Sequence, residues 1–391
     1  MKRVDLLCVL EAIYSQRDTS RKGLAEKIGF APSYIGTLVA ELRRRGLVQE
    51  GGRFPSRAGR RRVLLHVVPD LAHVAGIRIG RANTRVVVTD LSGKVLYHKK
   101  LPTESWKGEQ HVFDLINREL DVALEADSLV KGIGIGISGV IDRHTGNVLF
   151  WPKVRGWANV PLKRRIQAKY GLPVVVEDSV RTMALAERKF GRAKGLSNFV
   201  FVVVSMGIGA AIYIHDQIYL GSADLAGEFG HTTIDERGEL CSCGNRGCLE
   251  VYASGGAIIN RIRNGLQQGV HSILAGAVGP QPDQLSIEAI VEAARSRDQF
   301  AHTVLWEAGS HLGTGVATIV NLLNPEAIIL GGEVPRAAKA LILKPLFASL
   351  RSRTFHRSVR NLTVTLSRLG GESGAVGAAV MVAGKLLTSL L

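Results

Sequence analysis

Hydrophobic spacing changes character several times along the 391-residue chain. At the start it is helical. Between residues 3 and 15 the apolar positions Val4, Leu7, Leu10, Ala12 and Ile13 recur at roughly helical intervals, and Cys8 reads as a core residue of the same helix. Thr19-Ser20 marks a second helix that buries Leu24, Ala25 and Ile28, with Gly29 placed to end it. Pro32, tolerated in a first turn, opens a third helix whose stripe is Ile35, Leu38, Val39 and Leu42. That leaves Ser33, Tyr34, Gly36 and Thr37 on the exposed face near its start. A glycine-rich turn at 46–52 then leads into an arginine-rich hairpin over 53–67. Helix, turn, helix and a two-stranded wing is the arrangement that places a recognition helix in a DNA major groove.

From Pro69-Asp70 the period shortens to that of strands. Residues 73–80, 84–91 and 94–101 read as three antiparallel strands, followed by a helix near 109–126 and a buried strand over 130–137. A second occurrence begins at 198–204 and continues through 209–214 and 217–221. Helices near 286–296 and 299–322 follow, then a strand at 327–330. The pattern predicts a duplicated α/β fold with ligands bound between its lobes. The expected division is 1–68 for the winged helix-turn-helix, 69–195 for a first lobe and 196–391 for a second. The C-terminal helix is a candidate to pack back on the first lobe. No run of about 18 apolar residues is evident, so no membrane span is expected.

Charge sharpens the reading of the first segment. Of a net charge of +16, residues 1 to 66 supply +8, from 14 Lys/Arg against 6 Asp/Glu. About a sixth of the chain thus carries half the excess, which suits a polyanion-binding end. Ser33, Tyr34 and Thr37 are candidates to meet base edges. Arg57, Arg60, Arg61 and Arg62 are candidates for phosphates or a narrow minor groove. Arg43, in the run Arg43-Arg44-Arg45, fits either a phosphate contact or a solvated helix end. A double-stranded operator is the expected partner.

Three of the four cysteines fall in Cys241-Ser-Cys243-Gly-Asn-Arg-Gly-Cys248-Leu-Glu250, shortly after Gly227-Glu228-Phe-Gly-His231. Three sulfurs and one imidazole nitrogen form a set that zinc prefers, and Gly244 and Gly247 let the loop fold tightly enough to converge them. Four protein ligands leave no open position, so the zinc is expected to be structural and to fix Glu228, His231 and Glu250. A thiol cluster that needs reduction, and a first segment with no apolar leader, place the chain in the cytoplasm by expectation.

With these motifs the chain resembles the ROK family of repressors and sugar kinases, and within it the regulators with an N-terminal winged helix. The resemblance implies an actin-like, hexokinase-like (ribonuclease H-like) two-lobed ATPase fold, zinc on His231, Cys241, Cys243 and Cys248, a sugar effector, and homodimers or homotetramers. It implies sugar contacts at Ser138, Gly139, Asp178, Glu228, His231 and Glu250, with Trp151 and Trp157 near enough in sequence to cover a sugar face or simply to pack. It also implies a lost kinase. Where family kinases have Asp-x-Gly-Gly-Thr, this chain has Arg78-Ile-Gly-Arg81-Ala82, and the second phosphate loop reads Ser205-Met-Gly-Ile-Gly209. Aligned without gaps, Ser179 takes the place of the catalytic base and Asp178 that of the preceding asparagine; a slip of one residue would restore Asp178 as the base. The expected function is a sugar-responsive DNA-binding repressor without kinase activity. The alternatives are a bifunctional sugar kinase that also binds DNA, and a DNA-binding protein with a vestigial pocket under a protein partner's control.

Overall fold

The computed structural model describes residues 2–15, 19–53, 62–151, 154, 156–277 and 285–391. The head comprises helices α1 (Arg3–Ser15), α2 (Arg21–Ile28) and α3 (Pro32–Arg44) and an antiparallel pair, β1 (Val48–Arg53) and β2 (Val63–Val67). Ser20 caps α2 by accepting from the Gly23 N–H, and Gly29 ends it in the left-handed region at φ 81°. The expected stripe of α3 is fully buried. In α1 the buried residues are Leu6, Val9, Leu10 and Ile13. Val4 is 73 % exposed and Cys8 only half-buried, so both lie off the stripe that sequence spacing gave them.

After the head come β3 (His73–Ile79), β4 (Asn83–Thr89), β5 (Val95–Pro102), α4 (Glu109–Ala126), β6 (Val130–Ile137), a small antiparallel sheet of β7 (Val140–Asp142), β8 (Asn147–Phe150) and β9 (Ala158–Val160), then α5 (Leu162–Tyr170), β10 (Val174–Asp178) and α6 (Ser179–Phe190). The main sheet runs β10-β6-β3-β4-β5, with β3, β6 and β10 parallel and β4 and β5 antiparallel.

A second unit spans Arg192–Arg368. Its elements are β11 (Phe199–Val204), β12 (Ile208–Ile214), β13 (Gln217–Tyr219), α7 (Glu250–Ala253), α8 (Gly255–Gln267), α9 (Ile287–Arg295), α10 (Gln299–Leu323), β14 (Ala327–Gly331), α11 (Glu333–Arg353) and β15 (Thr363–Leu366). Its sheet, β13-β12-β11-β14-β15, has the order and strand directions of the first. The duplication read from the hydrophobic pattern is therefore present, with a fifth strand in each sheet, β10 and β15, that the pattern did not give.

The last helix, α12 (Ser373–Leu390), returns to the first unit, which comprises Met1–Gly191 and Leu369–Leu391. By length and composition it could cross a membrane, contrary to the expectation that no such segment exists; here it is core. Ala379, Val382, Ala383, Leu386 and Leu387 join one apolar cluster with the head residues Leu6, Val9, Leu10 and Ile13. Its other side lies on the sheet, where glycines remove the side chains that would collide. A Cβ on Gly76 would stand 2.0 Å from the Ala375 carbonyl oxygen, and one on Gly134 1.9 Å from that of Ala378. The alternating Gly132, Gly134 and Gly136 thus clear one face of β6 for packed helices.

Candidate functional site

On the head, Ser33 and Thr37 are exposed at the start of α3, where the sequence placed them. Tyr34 is a correction. It is half-buried, its hydroxyl donates to Asp5 Oδ2 at 2.6 Å, and its ring lies 5.6 Å from that of Phe30. It bolts α3 to α1, and its hydroxyl is already committed. The arginine run is also less open than its sequence suggests. Arg43 shares the Glu50 carboxylate on β1 with Arg21, at 3.2 and 2.8 Å. Arg44 and Arg45 both bond Glu41 and hold its carboxyl down at about 2. Arg62 is exposed at the foot of β2, whereas Arg57, Arg60 and Arg61 lie outside the described residues.

In the second unit, His231, Cys241, Cys243 and Cys248 present ligand atoms all within 4.8 Å of one another and could hold a metal ion. Two backbone features bring them together. Gly244 and Gly247 take φ 96° and 67°, and isolated bridges pair Leu240 with Arg246 and Thr233 with Cys248. A Cβ at Gly247 would meet the Asp235 carbonyl oxygen at 1.5 Å, so only glycine fits. Cys243 Sγ and Cys248 Sγ are 3.7 Å apart, and Cys241 Sγ is 3.7 Å from His231 Nδ1. Ligands about 2.0–2.3 Å from one tetrahedral centre stand about 3.5–3.8 Å from each other, so the spacing fits such an ion and is far too long for a disulfide. Burial and the neighbouring sulfurs push the Cys248 thiol up to about 12, an environment that a cation would reverse.

His231 directs Nδ1 to the sulfurs, which leaves Nε2 for another partner. Glu250 does not cap its own helix; its Oε2 accepts from the Ile208 N–H at 2.9 Å, tying α7 to the loop at 205–209. Glu228 is exposed just before His231.

In the first unit, the parallel register sets Asp178 beside Ile137, so that the chain's next residues meet: Ser138 Oγ lies 2.9 Å from Ser179 Oγ. Asp178 ends β10 and caps α6, Oδ1 accepting from the N–H groups of Val180 and Arg181 at 2.9 and 3.1 Å. Loss of water pushes its carboxyl up to about 6, although those N–H donors oppose the shift. Sequence reasoning missed the group that fixes it. Glu177 Oε1 accepts from the Asp178 N–H and from Arg181, while Oε2 accepts from Arg143 at 2.6 Å. Arg181 lies at i+4 from Glu177, but the Arg143 contact comes from 34 positions away and has no short-range sequence signature. Gly139 is required because a Cβ there would stand 2.8 Å from the Phe150 carbonyl oxygen. Trp151 and Trp157 pack rather than line a surface. They are 3 % and 2 % exposed, edge to face at 5.0 Å, and Trp157 stacks on Phe113.

The stretch 78–82 spans the end of β3 and the turn after it. Arg81 and Ala82 are exposed. Arg78 runs along the start of α12: a Cβ on Gly374 would stand 2.5 Å from its Cδ, and one on Gly80 3.1 Å from its guanidinium.

The chain belongs to the ROK family, whose model matches residues 74–385, from β3 to α12. It is 31 % identical over 392 aligned positions to the xylose repressor of Caldicellulosiruptor bescii, covering 99 % of this chain and 97 % of that one. The crystal structure of a ROK-family transcriptional regulator, a homologue of the E. coli MLC protein, superposes with a TM-score of 0.81 at 29 % identity, covering 100 % of this chain and 97 % of the other. A ROK glucokinase from Streptomyces griseus, solved with glucose and AMPPNP, matches 79 % of this chain and 99 % of its own at 31 % identity and a TM-score of 0.70. With a winged head in front of the family's body, this chain is a DNA-binding transcriptional regulator.

Proposed function

We propose that the protein is a repressor whose grip on DNA responds to a sugar, and that it does not phosphorylate that sugar. The observation that carries this reading is the contrast within the first unit. Arg78 fills the space over Gly80 and Gly374, where a phosphate-binding relative needs bare backbone. Ser138 and Asp178, by contrast, keep the hydroxyl and carboxylate that suit a sugar's hydroxyl groups. Gly139 belongs with them in the first unit, and within the second unit Glu228, His231 Nε2 and Glu250 are proposed as sugar-hydroxyl partners in their own right. Zinc on His231, Cys241, Cys243 and Cys248 holds the last three in place. Homodimeric or homotetrameric assembly pairs two heads on a pseudo-palindromic operator in the cytoplasm. There Ser33 and Thr37 meet base edges, and Arg57, Arg60, Arg61 and Arg62 meet the backbone. The sugar acts by binding one conformation more tightly than the other.

A thermal-shift scan of zinc-loaded protein against pentoses, hexoses, N-acetyl sugars, sugar phosphates and disaccharides tests this. One class of sugar is expected to raise the melting temperature, and ATP is expected neither to do so nor to be consumed. ATP-dependent phosphorylation of a hexose, with ADP and the sugar phosphate as products, would establish the bifunctional kinase instead. No shift with any sugar would favour a vestigial pocket under a protein partner's control.

The raised carboxyl of Asp178 has two consequences of opposite sign. An acid raised from 3.8 to about 6 contributes stability that is complete below 3.8 and lost as pH rises through about 6. Sugar binding through the ionised carboxylate runs the other way. Affinity is expected to be level above about pH 6 and to fall by a factor approaching tenfold per unit below it. Calorimetry across that range checks this, and Asp178→Asn should flatten the profile.

A further inference from the structure

Helix α6 has different neighbours at its two ends. Its first turn is built from the proposed sugar partners: Asp178 caps it, and the Ser179 hydroxyl meets Ser138. Its last turn reaches the head. Lys189, 8 % exposed, places Nζ 3.0 Å from the centre of the Tyr14 ring on α1. The Tyr14 hydroxyl in turn donates to the Val380 carbonyl on α12 at 3.1 Å. Phe190 fills the space over Gly93 in the β4–β5 turn, where a Cβ would stand 2.1 Å from its Cζ.

Between these ends the helix has little room to bend. A Cβ on Gly377 of α12 would stand 1.7 Å from the Thr182 carbonyl oxygen, and one on Gly136 of β6 2.7 Å from Thr182 Oγ1. Helices keyed together at backbone distance shift as rods between discrete packings. The 12 residues of α6 span about 18 Å. Burying an ammonium group is costly unless its surroundings compensate, and a desolvated aromatic face is one such compensation. A methionine at 189 would keep the length of the aliphatic stem and remove the cation, so that substitution isolates the charge.

We propose that α6 transmits the regulatory signal: what Asp178 and Ser179 hold at one end sets the Lys189–Tyr14 contact at the other, and through it the state of the head. Lys189 and Tyr14 are positioning residues on this account. The inference rests on the reading of Ser138 and Asp178 as sugar partners.

The test uses full-length, zinc-loaded protein and a labelled duplex that it has enriched from random-sequence DNA. D-xylose, D-glucose and N-acetyl-D-glucosamine are the probes. Calorimetry gives each sugar's Kd, and anisotropy gives the DNA Kd with and without it. In the unaltered protein a binding sugar should change the DNA Kd about tenfold or more. Lys189→Met should bind the same sugar within about twofold and bind DNA as before, yet lose the response to under about threefold. Lys189→Arg, which keeps the cation, should retain it. A Lys189→Met protein that responds like the unaltered one overturns the inference and leaves the sensor reading standing. If none of the three sugars binds, the inference as stated for these probes is overturned, while the sensor reading is decided by the wider thermal-shift scan. Should Lys189→Met fail to fold, hydrogen exchange on the unaltered protein decides. Sugar-dependent protection at the ends of both α1 and α6 supports the link, and unchanged protection at α1 overturns it.

Discussion

Gly134→Ala is expected to destabilise the first unit by about 3–5 kcal/mol, among the largest effects of any single methyl group in this chain. The added Cβ would sit 1.9 Å from the Ala378 carbonyl oxygen and 2.4 Å from its carbon, so the backbone of α12 itself must move. No rotamer change relieves such a clash, because both partners are main chain. The effect should reach the head, since α12 belongs to the same apolar cluster as α1 and α3. Urea unfolding followed by head and body probes should therefore show both shifting together. Gly36→Ala is the control: nothing lies within 4 Å of a Cβ there, and in the middle of α3 alanine should stabilise by about 0.5–1 kcal/mol. A Gly134→Ala protein as stable as its parent would refute the close packing of α12 on β6.

The second large effect belongs to the thiol knuckle. Cys248→Ser should release the metal and lower the melting temperature of the second unit by roughly 6–12 °C, corresponding to about 3 kcal/mol. Cys248 is fully buried, so its loss removes both a ligand and the sulfur that reaches the His231 carbonyl oxygen at 3.6 Å. His231 then loses the tether that fixes its ring, and the sugar response should go with it. Atomic absorption and calorimetry on the same preparations check the two parts. A substituted protein that keeps one zinc per chain, or a parent that takes up none, contradicts the assignment of these four ligands.

Much of this was legible in the sequence because it rests on local spacing. The stripe of α3, the capping Ser20, the Gly244 and Gly247 turns and four of the five strands in each half follow from short-range patterns. Long-range events were not legible. Tyr34 looked exposed because helical spacing alone shows no Asp5 across from it. Trp151 and Trp157 could be read either as a sugar cover or as packing, and sequence does not reveal the stacking of Phe113 on Trp157 that makes them packing residues. The apolar content of α12 was broken by glycines and small residues, so no uniform run stood out, although those residues are what let it enter the core. The alternating glycines of β6 were a readable signal of that close approach. The Glu177 cluster and the Lys189–Tyr14 contact join residues 34 and 175 positions apart and left no signal.

On the proposed reading, sugar and DNA compete for, or cooperate through, one conformational equilibrium. Linkage makes the most direct measurement simple: fluorescence anisotropy of the enriched duplex, titrated with protein at a fixed salt concentration, with and without the sugar that raises the melting temperature. The prediction is a change of about tenfold or more in DNA Kd, matched by an equal change in sugar Kd when DNA is present. A sugar that binds tightly and leaves the DNA Kd unchanged would contradict it.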